Sequence, residues 1–326
     1  MAKAISIGKF RALQRASTAD GIFTVLAIDH QDSLRRALNS ESPDSVTDAE
    51  MIAFKMQVVS TLWDEASGVL LDPVYGTAQI IAQGLPKQVG LLAELEKADY
   101  NMQPLPLAVD IRPHWSVSKI KRMGADGVKL FYYYDPDDAH LCAKQDATIQ
   151  QVVADCTSYD IPLYAEPIIT DTSPENRQRK VIESAVKSDQ LGADILKLEF
   201  PLDVRAYPDH ADWQSACESL SQATNAPWVL LSAGVDFEIF CQQVEIACKA
   251  GACGYIVGRA VWGDACTIAE HDAREHWLKS TGRERLHRLN AIAAKYATSW
   301  TTIYQPAPIN TTWYADYPDF NNMNSV

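Results

Sequence analysis

The chain has 326 residues, of which 47% are hydrophobic and 22% charged, a composition typical of a folded globular protein. Its formal net charge of −13 argues against nucleic acid and an anionic membrane as partners, because both require a basic surface. A small anionic substrate is still compatible with this charge, since a few local Arg, Lys and backbone N–H groups can hold a phosphate.

The cysteines and the apolar runs indicate the compartment. Seven cysteines form no C-x-x-C pair, and the N-terminal segment has no continuous apolar region of the kind found in signal peptides. No apolar run approaches the roughly 18 residues that a membrane-spanning helix needs. The sequence therefore predicts a cytoplasmic protein with reduced thiols and no membrane span.

Short aliphatic or β-branched runs alternate with longer amphipathic segments along most of the chain. The predicted strands cover residues 23–29, 68–72, 105–111, 127–133, 162–168, 193–200, 228–232 and 254–258. The predicted helices cover residues 48–66, 116–123, 139–159, 174–191, 211–223 and 237–250. Gly124, Gly192 and Gly251 follow three of these helices, as is typical of helix C-caps.

Strands that alternate with helices in this way predict a single (β/α)8 TIM-barrel domain over residues 1–326. A doubly wound open sheet is the alternative, but no linker rich in Pro, Gly or Ser divides the chain. Gly-Ala-Asp triplets at 124–126 and 192–194, each just before a predicted strand, also favour a repeated barrel unit. Residues from about 301 to 326 are predicted to form an irregular C-terminal arm, and its aromatic content suggests a homodimer contact.

Charged residues at alternate strand positions indicate a site inside the barrel. Along Ile-Leu-Lys-Leu-Glu-Phe on the sixth predicted strand, the apolar residues face the helices, so Lys197 and Glu199 point inward. The same alternation directs Lys129 and Glu166 inward on the fourth and fifth strands, and Asp29 ends the first. These groups are expected to converge at the C-terminal mouth, where barrel enzymes place their active sites.

A lysine inside a barrel is unfavourable unless it is paired or functional. Burial and a second nearby cation, here Lys129, both favour the neutral amine of Lys197, which is the nucleophile that attack on a ketone requires. A structural explanation, in which Lys197 and Lys129 only form ion pairs with Glu199 and Glu166, stays open. The convergence of several ionisable groups favours catalysis.

Two loops near the end of the barrel carry a second signal. Ser232-Ala233-Gly234 precedes an amphipathic helix, and Gly258-Arg259 follows the last aliphatic strand. Loops after strands seven and eight of TIM barrels frequently bind phosphate through backbone N–H groups at a helix N-terminus. A guanidinium there would add a bidentate contact, so the pair of loops predicts a phosphate site.

Metal and nucleotide cofactors have less support. Acidic residues near predicted strand ends could form a metal site, but His30, the histidine beside them, has no partner at metal-ligand spacing. Helix capping is the expected role of these aspartates, which are Asp72, Asp110, Asp135 and Asp171. Since no dinucleotide or P-loop motif occurs, we expect neither a metal nor a cofactor.

Eight segments of the chain form a pattern of motifs, which are LAIDHQDSLRRAL (26–38), LLDPVYG (70–76), GLLAELEKADYN (90–101), WSVSKIKRMGADGVKLFYYYDPDD (115–138), LYAEPIITD (163–171), ADILKLEFP (193–201), LLSAGV (230–235) and VGRAVW (257–262). This pattern resembles the tagatose 1,6-bisphosphate aldolase family, and the related sulfofructose-phosphate aldolases share it. The match runs in register from about residue 20 to 265. It implies a TIM barrel and metal-independent class I aldol cleavage.

The resemblance also implies roles for individual residues. Lys197 matches the Schiff-base lysine, Lys129 a second active-site lysine, Glu166 an acid/base glutamate and Asp29 a site aspartate. The residues that match phosphate-binding positions are Ser232, Gly234, Gly258 and Arg259. The expected substrate is a ketose phosphate or bisphosphate, cleaved to dihydroxyacetone phosphate and an aldehyde.

The loop after the first strand departs from this pattern. The family usually reads Asp-Gln-Arg there, whereas this chain reads Asp29-His30-Gln31-Asp32. His30 and Gln31 are therefore predicted to contact the substrate, and the sugar is expected to be less anionic or differently shaped. Two alternatives stay open, a metal-dependent aldolase or isomerase and a non-catalytic regulator that binds sugar phosphates.

Overall fold

The computed structural model describes residues 2–84, 88–97, 108–171, 173–315 and 317. The strands within them are β1 (Lys3–Ile5), β2 (Phe23–Ala27), β3 (Gly68–Leu71), β4 (Gly90–Glu94), β5 (Gly127–Tyr133), β6 (Leu163–Ile168), β7 (Ile195–Leu198), β8 (Trp228–Leu231), β9 (Gly254–Val257) and β10 (Tyr304–Pro306). In this part of the chain β2 to β9 pair in sequence order, all parallel, and β9 closes on β2. The predicted TIM barrel is confirmed.

Helices connect the strands and surround the barrel. They are α1 (Ile7–Ala16), α2 (Asp32–Leu38), α3 (Asp48–Leu62), α4 (Thr77–Ala82), α5 (Val117–Met123), α6 (Ala139–Ser158), α7 (Pro174–Leu191), α8 (His210–Ala223), α9 (Phe237–Lys249), α10 (Arg259–Trp262), α11 (His271–Trp277) and α12 (Arg283–Tyr296). Gly124 and Gly192 end α5 and α7 at φ 96° and 102°, a conformation that a Cβ would disfavour. The six helices predicted from the sequence agree with α3 and α5–α9 to within a few residues.

The third barrel strand was predicted wrongly. It is β4, Gly90–Glu94, and not residues 105–111. Residues 105–107 lie outside the described part of the chain, and Ile111 forms only an isolated antiparallel bridge with Glu96. The run Gly-Leu-Leu-Ala-Glu is short and carries no β-branched residue, so it gives a weaker strand signal than Leu-Pro-Leu-Ala-Val-Asp-Ile.

The N-terminal end of the barrel is closed by α1. Arg15 on this helix contacts Asp126 at 2.7 Å, and Lys9 contacts Asp194 at 2.8 Å. Each aspartate also accepts a backbone N–H from the strand beside it, from Leu91 and from Leu163, both at 2.9 Å. The repeated Gly-Ala-Asp triplet therefore joins neighbouring strands and positions α1 at the end opposite the site.

Two apolar layers make up the core. One fills the space between barrel and helices, and the other fills the barrel interior with residues such as Val25, Leu70 and Val229. Within the predicted C-terminal arm, β10 pairs with β1. Just before the arm, Trp300 packs edge-on against Phe10 with ring centroids 5.0 Å apart. That the chain is one domain stays a prediction.

The seven cysteines all lie in the described residues and are free thiols. Among the helices of the described chain, none combines the length and apolar character needed to cross a membrane.

Candidate active site

A cavity of about 300 Å³ opens at the C-terminal end of the barrel. It is formed by residues at the ends of strands β2 and β5–β9 and by the segments that follow β2, β7, β8 and β9. Its polar and charged lining residues are Asp29, His30, Ser33, Lys129, Tyr133, Glu166, Lys197, Glu199, Ser232 and Arg259. Most of the site residues predicted from the sequence therefore share one cavity.

Glu166 on β6 bridges the two cavity lysines. One of its carboxylate oxygens lies 2.8 Å from Nζ of Lys197 on β7, and the other lies 3.1 Å from Nζ of Lys129 on β5. The lysine side chains are only 6% and 1% exposed, so both amines are held by protein groups rather than by bulk water. This geometry allows a proton to pass directly between Glu166 and Lys197.

Lys129 has two further carboxylate partners. Its Nζ lies 2.9 Å from Asp29 and 2.5 Å from Glu96. Burial raises the pKa of Asp29, but the positive charges of Lys129 and Lys197 outweigh it and hold that pKa well below its ordinary value. Asp29 is therefore a fixed negative charge beside both amines.

The segment after β8 turns sharply toward the cavity. Ala233 and Gly234 both have positive φ, 48° and 73°, and the N–H of Val235 donates to the carbonyl of Ser232 at 3.0 Å. The first N–H groups of α9 are capped by Asp236, which accepts from Glu238 and Ile239. The end of α9 is thus occupied by its own cap, and the backbone groups available to an anion are those of the turn itself.

Arg259 completes this side of the cavity. Its guanidinium lies so close to Gly234 that a Cβ built on the glycine would be 3.2 Å from Cζ. Arg259 is exposed and forms no ion pair with any residue of the described chain. A guanidinium free of carboxylate partners beside a positive-φ turn is suited to a phosphate.

His30 lies between Asp29 and the loops after β8 and β9, which are predicted to bind phosphate. Its ring packs edge-on against Trp262 at 5.2 Å, and a Cβ on Gly258 would lie 2.9 Å from its Cε1. Burial lowers the pKa of His30 to about 3, so the ring is neutral at physiological pH although its Nδ1 lies 3.6 Å from an Asp29 oxygen. The residue that departs from the family pattern thus adds a neutral, aromatic surface to the cavity.

Gln31, also predicted to bind substrate, points elsewhere. Its amide donates to Glu94 at 2.7 Å and accepts from Arg112 at 3.1 Å, and it is absent from the cavity lining in the described chain. Burial, followed by the charge of Glu96, raises the pKa of Glu94 well above its ordinary value. Gln31 therefore donates a hydrogen bond to the buried carboxyl group of Glu94, and burial favours the protonated form of that carboxyl group.

Glu94 and Glu96 were missed by the sequence analysis. They are two residues apart, as required for the same face of a strand, and β-pairing places Glu94 beside Lys129. The signal was present in Leu-Leu-Ala-Glu-Leu-Glu, but it is readable only once residues 90–94 are recognised as a strand. Arg112, which contacts Glu94 at 3.5 Å, follows a segment outside the described residues and had no sequence signal.

The four strand-end aspartates do not converge. Asp72 pairs with Lys55 in the core, Asp135 and Asp171 both pair with Lys180, and the side chain of Asp110 is exposed. None of them is the N-cap residue of a described helix, so the capping predicted for them is wrong. Asp72, Asp135 and Asp171 instead brace loops, because each accepts the backbone N–H of the residue two positions ahead.

Within the described residues, three ligand atoms that could hold a metal come together at His271, Asp272 and Glu275. This group begins α11, is largely exposed and is not part of the cavity.

A model of the DeoC/LacD aldolase family matches residues 23–264, which is most of the chain and includes every cavity residue. The chain belongs to the DeoC/LacD aldolase family. It is 33% identical over 320 residues to the tagatose 1,6-diphosphate aldolase of Lactococcus lactis subsp. lactis, covering 90% of this chain and 97% of that protein. It is 31% identical over 318 residues to the protein of the same name from Staphylococcus aureus strain JH9, with the same coverage.

Solved structures show the same fold at lower identity. An archaeal fructose 1,6-bisphosphate aldolase has a TM-score of 0.60 at 19% identity, covering 87% of this chain and 99% of the other. The Plasmodium falciparum fructose-bisphosphate aldolase, solved in complex with TRAP and an inhibitor, has a TM-score of 0.65 at 12% identity, covering 94% and 99%. The predicted aldolase family is confirmed, whereas the Schiff-base mechanism and the roles of individual residues stay predictions.

Proposed function

We propose that this member of the DeoC/LacD family is a class I aldolase that cleaves a ketose phosphate to dihydroxyacetone phosphate and an aldehyde, with Lys197 as the covalent nucleophile. The observation that carries the proposal is the 2.8 Å contact between Lys197 and Glu166 in a cavity that also contains Arg259. The contact pairs an amine with a proton acceptor, and the guanidinium supplies a partner for phosphate.

Lys197 is better suited than Lys129 to act as the nucleophile. Lys129 contacts three carboxylates, which stabilise its ammonium form. Among the described residues Lys197 contacts one carboxylate, that of Glu166, which can accept its proton and leave the neutral amine that attacks a carbonyl. Lys129 then serves as a fixed positive charge that orients substrate hydroxyls.

The covalent steps follow from this pairing. The amine of Lys197 adds to the C2 ketone, and protonated Glu166 returns its proton to the departing hydroxyl, which leaves as water and gives an iminium. A carboxylate then removes the proton of the C4 hydroxyl, the C3–C4 bond breaks, and its electron pair moves into the iminium to form an enamine. Protonation of the enamine at C3 and hydrolysis release dihydroxyacetone phosphate and regenerate Lys197.

We place the C1 phosphate at Arg259 and the turn that contains Gly234. The positive φ of this turn directs successive N–H groups to one side, and the guanidinium beside it adds a bidentate contact. The phosphate then holds C2 within reach of Lys197, because β8 lies beside β7 in the barrel and β9 lies beside β8.

Borohydride trapping tests the nucleophile. Incubation with dihydroxyacetone phosphate and borohydride should give one covalent adduct by intact mass, and peptide mapping should place it on Lys197. Lys197→Met should abolish the adduct, whereas Lys249→Met, which removes an exposed lysine of α9, should retain it. An adduct that survives in the first variant overturns the assignment.

A chelator experiment distinguishes the class I mechanism from a metal-dependent aldolase. Cleavage of the ketose phosphate should be unchanged after prolonged treatment with a strong chelator, because lysine supplies the electron sink. Loss of activity that a divalent metal restores would overturn the class I mechanism.

We also propose that the protein forms a homodimer through its C-terminal arm and works in the cytoplasm. Support for the contact comes from apolar residues near the end of the chain, with Ile309 60% and Tyr314 68% exposed. Seven free thiols fit a reducing compartment. A monomer by light scattering at micromolar concentration would contradict the dimer.

A further inference from the structure

We propose that the cavity takes a ketose with a single phosphate, at C1, and that the other end of the sugar carries hydroxyl groups rather than a second phosphate. This inference rests on the proposed function, because it assumes that C1 lies at Arg259 and C2 at Lys197. It identifies the substrate class as ketose 1-phosphates and the aldehyde product as uncharged.

The barrel order fixes where the distal end of the sugar lies. The loops predicted to bind phosphate follow β8 and β9. In the closed barrel β5 lies four strands away from β9 in either direction, and so on the opposite side. A chain that starts at Arg259 and passes Lys197 and Glu166 therefore ends against residues of β5 and β6, which are Phe131, Tyr133 and Ile168. Glu199 follows β7 and joins this distal wall, because its carboxylate accepts the N–H of Ile169 just after β6.

No cation of the described cavity lining is left for a second phosphate. The lining contains three cations, Lys129, Lys197 and Arg259. Lys129 is held by three carboxylates, Lys197 becomes the iminium nitrogen, and Arg259 binds the first phosphate. Since His30 is neutral at physiological pH, it does not replace them.

The distal wall is acidic instead. Glu199 lies in the cavity lining with 8% exposure, and its oxygens accept from the guanidinium of Arg177 at 3.1 Å and the N–H of Ile169 at 3.0 Å. Arg177 also donates to the carbonyl of Phe200 at 3.1 Å and does not line the cavity. A phosphate placed here meets the carboxylate before the guanidinium, whereas sugar hydroxyls can donate to Glu199.

The residues outside the described ranges contain one lysine or arginine, Lys87, apart from the N-terminal amine. The cavity volume of about 300 Å³ is also at the lower end of the roughly 300–1,000 Å³ common for ligand sites.

The addition direction gives the sharpest test, because two aldehydes that differ only in the distal phosphate can be compared with the same dihydroxyacetone phosphate. Wild-type protein is given dihydroxyacetone phosphate with either D-glyceraldehyde or D-glyceraldehyde 3-phosphate, and consumption of dihydroxyacetone phosphate is followed. We expect kcat/KM for the uncharged aldehyde to exceed that for the phosphorylated one by at least about tenfold, since like-charge contact opposes the second phosphate. Equal values, or a preference for the phosphorylated aldehyde, overturn the proposal.

Two variants with the same charge change test whether Glu199 causes the preference for the uncharged aldehyde. Glu199→Gln removes the distal negative charge and leaves Arg177 uncompensated, so the preference should shrink at least about fivefold toward the phosphorylated aldehyde. Glu183→Gln makes the same charge change on the exposed side of α7 and should leave the preference unchanged. An unchanged ratio in Glu199→Gln, with wild-type circular dichroism, overturns the role of Glu199.

This inference and the proposed function fail in different experiments. Borohydride trapping with dihydroxyacetone phosphate does not involve the distal wall. An adduct on Lys197 together with a preference for the phosphorylated aldehyde overturns the single-phosphate substrate and leaves the Schiff-base mechanism intact. Absence of the adduct overturns both.

Discussion

Replacing Glu166 with glutamine removes the proton acceptor of Lys197 with little change in shape. The amide can still accept one hydrogen bond from an amine, so the distances of 2.8 Å to Lys197 and 3.1 Å to Lys129 need not change. What is lost is the negative charge shared by the two amines and the ability to carry a proton.

The size of the effect follows from the contacts. General acid–base catalysis contributes about 10²- to 10⁴-fold, equivalent to roughly 3–5 kcal/mol of barrier. Breaking a buried ion pair costs roughly 3–5 kcal/mol when one charge is left uncompensated. Here Lys129 keeps Asp29 and Glu96 as partners, so we expect the unfolding free energy to fall by only about 1–3 kcal/mol.

Two measurements separate chemistry from binding. Rapid-quench borohydride trapping with dihydroxyacetone phosphate gives the rate of Schiff-base formation, and competition by inorganic phosphate reports the Arg259 site. For Glu166→Gln we expect the trapping rate to fall by at least about 100-fold and the phosphate competition to stay unchanged. Glu183→Gln is the charge-matched control on α7. A trapping rate within about threefold of wild type would refute the role of Glu166.

Three further changes test the surroundings of the site. Gly258→Ala places a Cβ 2.9 Å from the His30 ring, so KM for the ketose phosphate should rise at least about tenfold, whereas Gly263→Ala meets ordinary contacts and should not change it. Burial raises the pKa of Glu94, so the stability of the wild type should fall as pH rises above about 4.5, where the unfolded chain loses this proton more readily than the folded protein. Glutamine has no proton to lose, so Glu94→Gln should raise the unfolding free energy at pH 7.5 by about 1 kcal/mol or more. His30 titrates near pH 3 when folded and near 6.5 when unfolded, so wild type should lose stability as pH falls below 6.5. Because the ring is 19% exposed, His30→Asn should reduce the loss between pH 7 and 4.5 by about 1–2 kcal/mol in urea titrations.

Most of the site residues could be predicted from the alternation of side chains along the strands. Once residues 195–200 are placed on a barrel strand, the direction of Lys197 and Glu199 follows from geometry, and the same reasoning locates Lys129 and Glu166. These positions depend on local pattern and on the general rule that parallel strands end at one face. Both are encoded within a few residues.

Features that depend on contacts between distant segments were not predictable in this way. The amide of Gln31 turns to Glu94, 63 positions along the chain, and the outcome depends on β4, whose sequence signal is weak. Sequence spacing likewise gives no indication that Arg112 reaches Glu94, or that Asp236 occupies the end of α9. Burial, rather than composition, also makes His30 neutral beside a carboxylate.

The excess of negative charge over the whole chain and the binding of a phosphate are compatible because they act over different distances. At physiological ionic strength the Debye length is about 8 Å, so most of the charge of −13 is screened from a ligand in the cavity. Groups in contact with the ligand are not screened in this way. At one end of the cavity that group is the guanidinium of Arg259, and at the other it is the carboxylate of Glu199. The same short-range electrostatics that binds a phosphate at C1 therefore opposes one at the distal carbon.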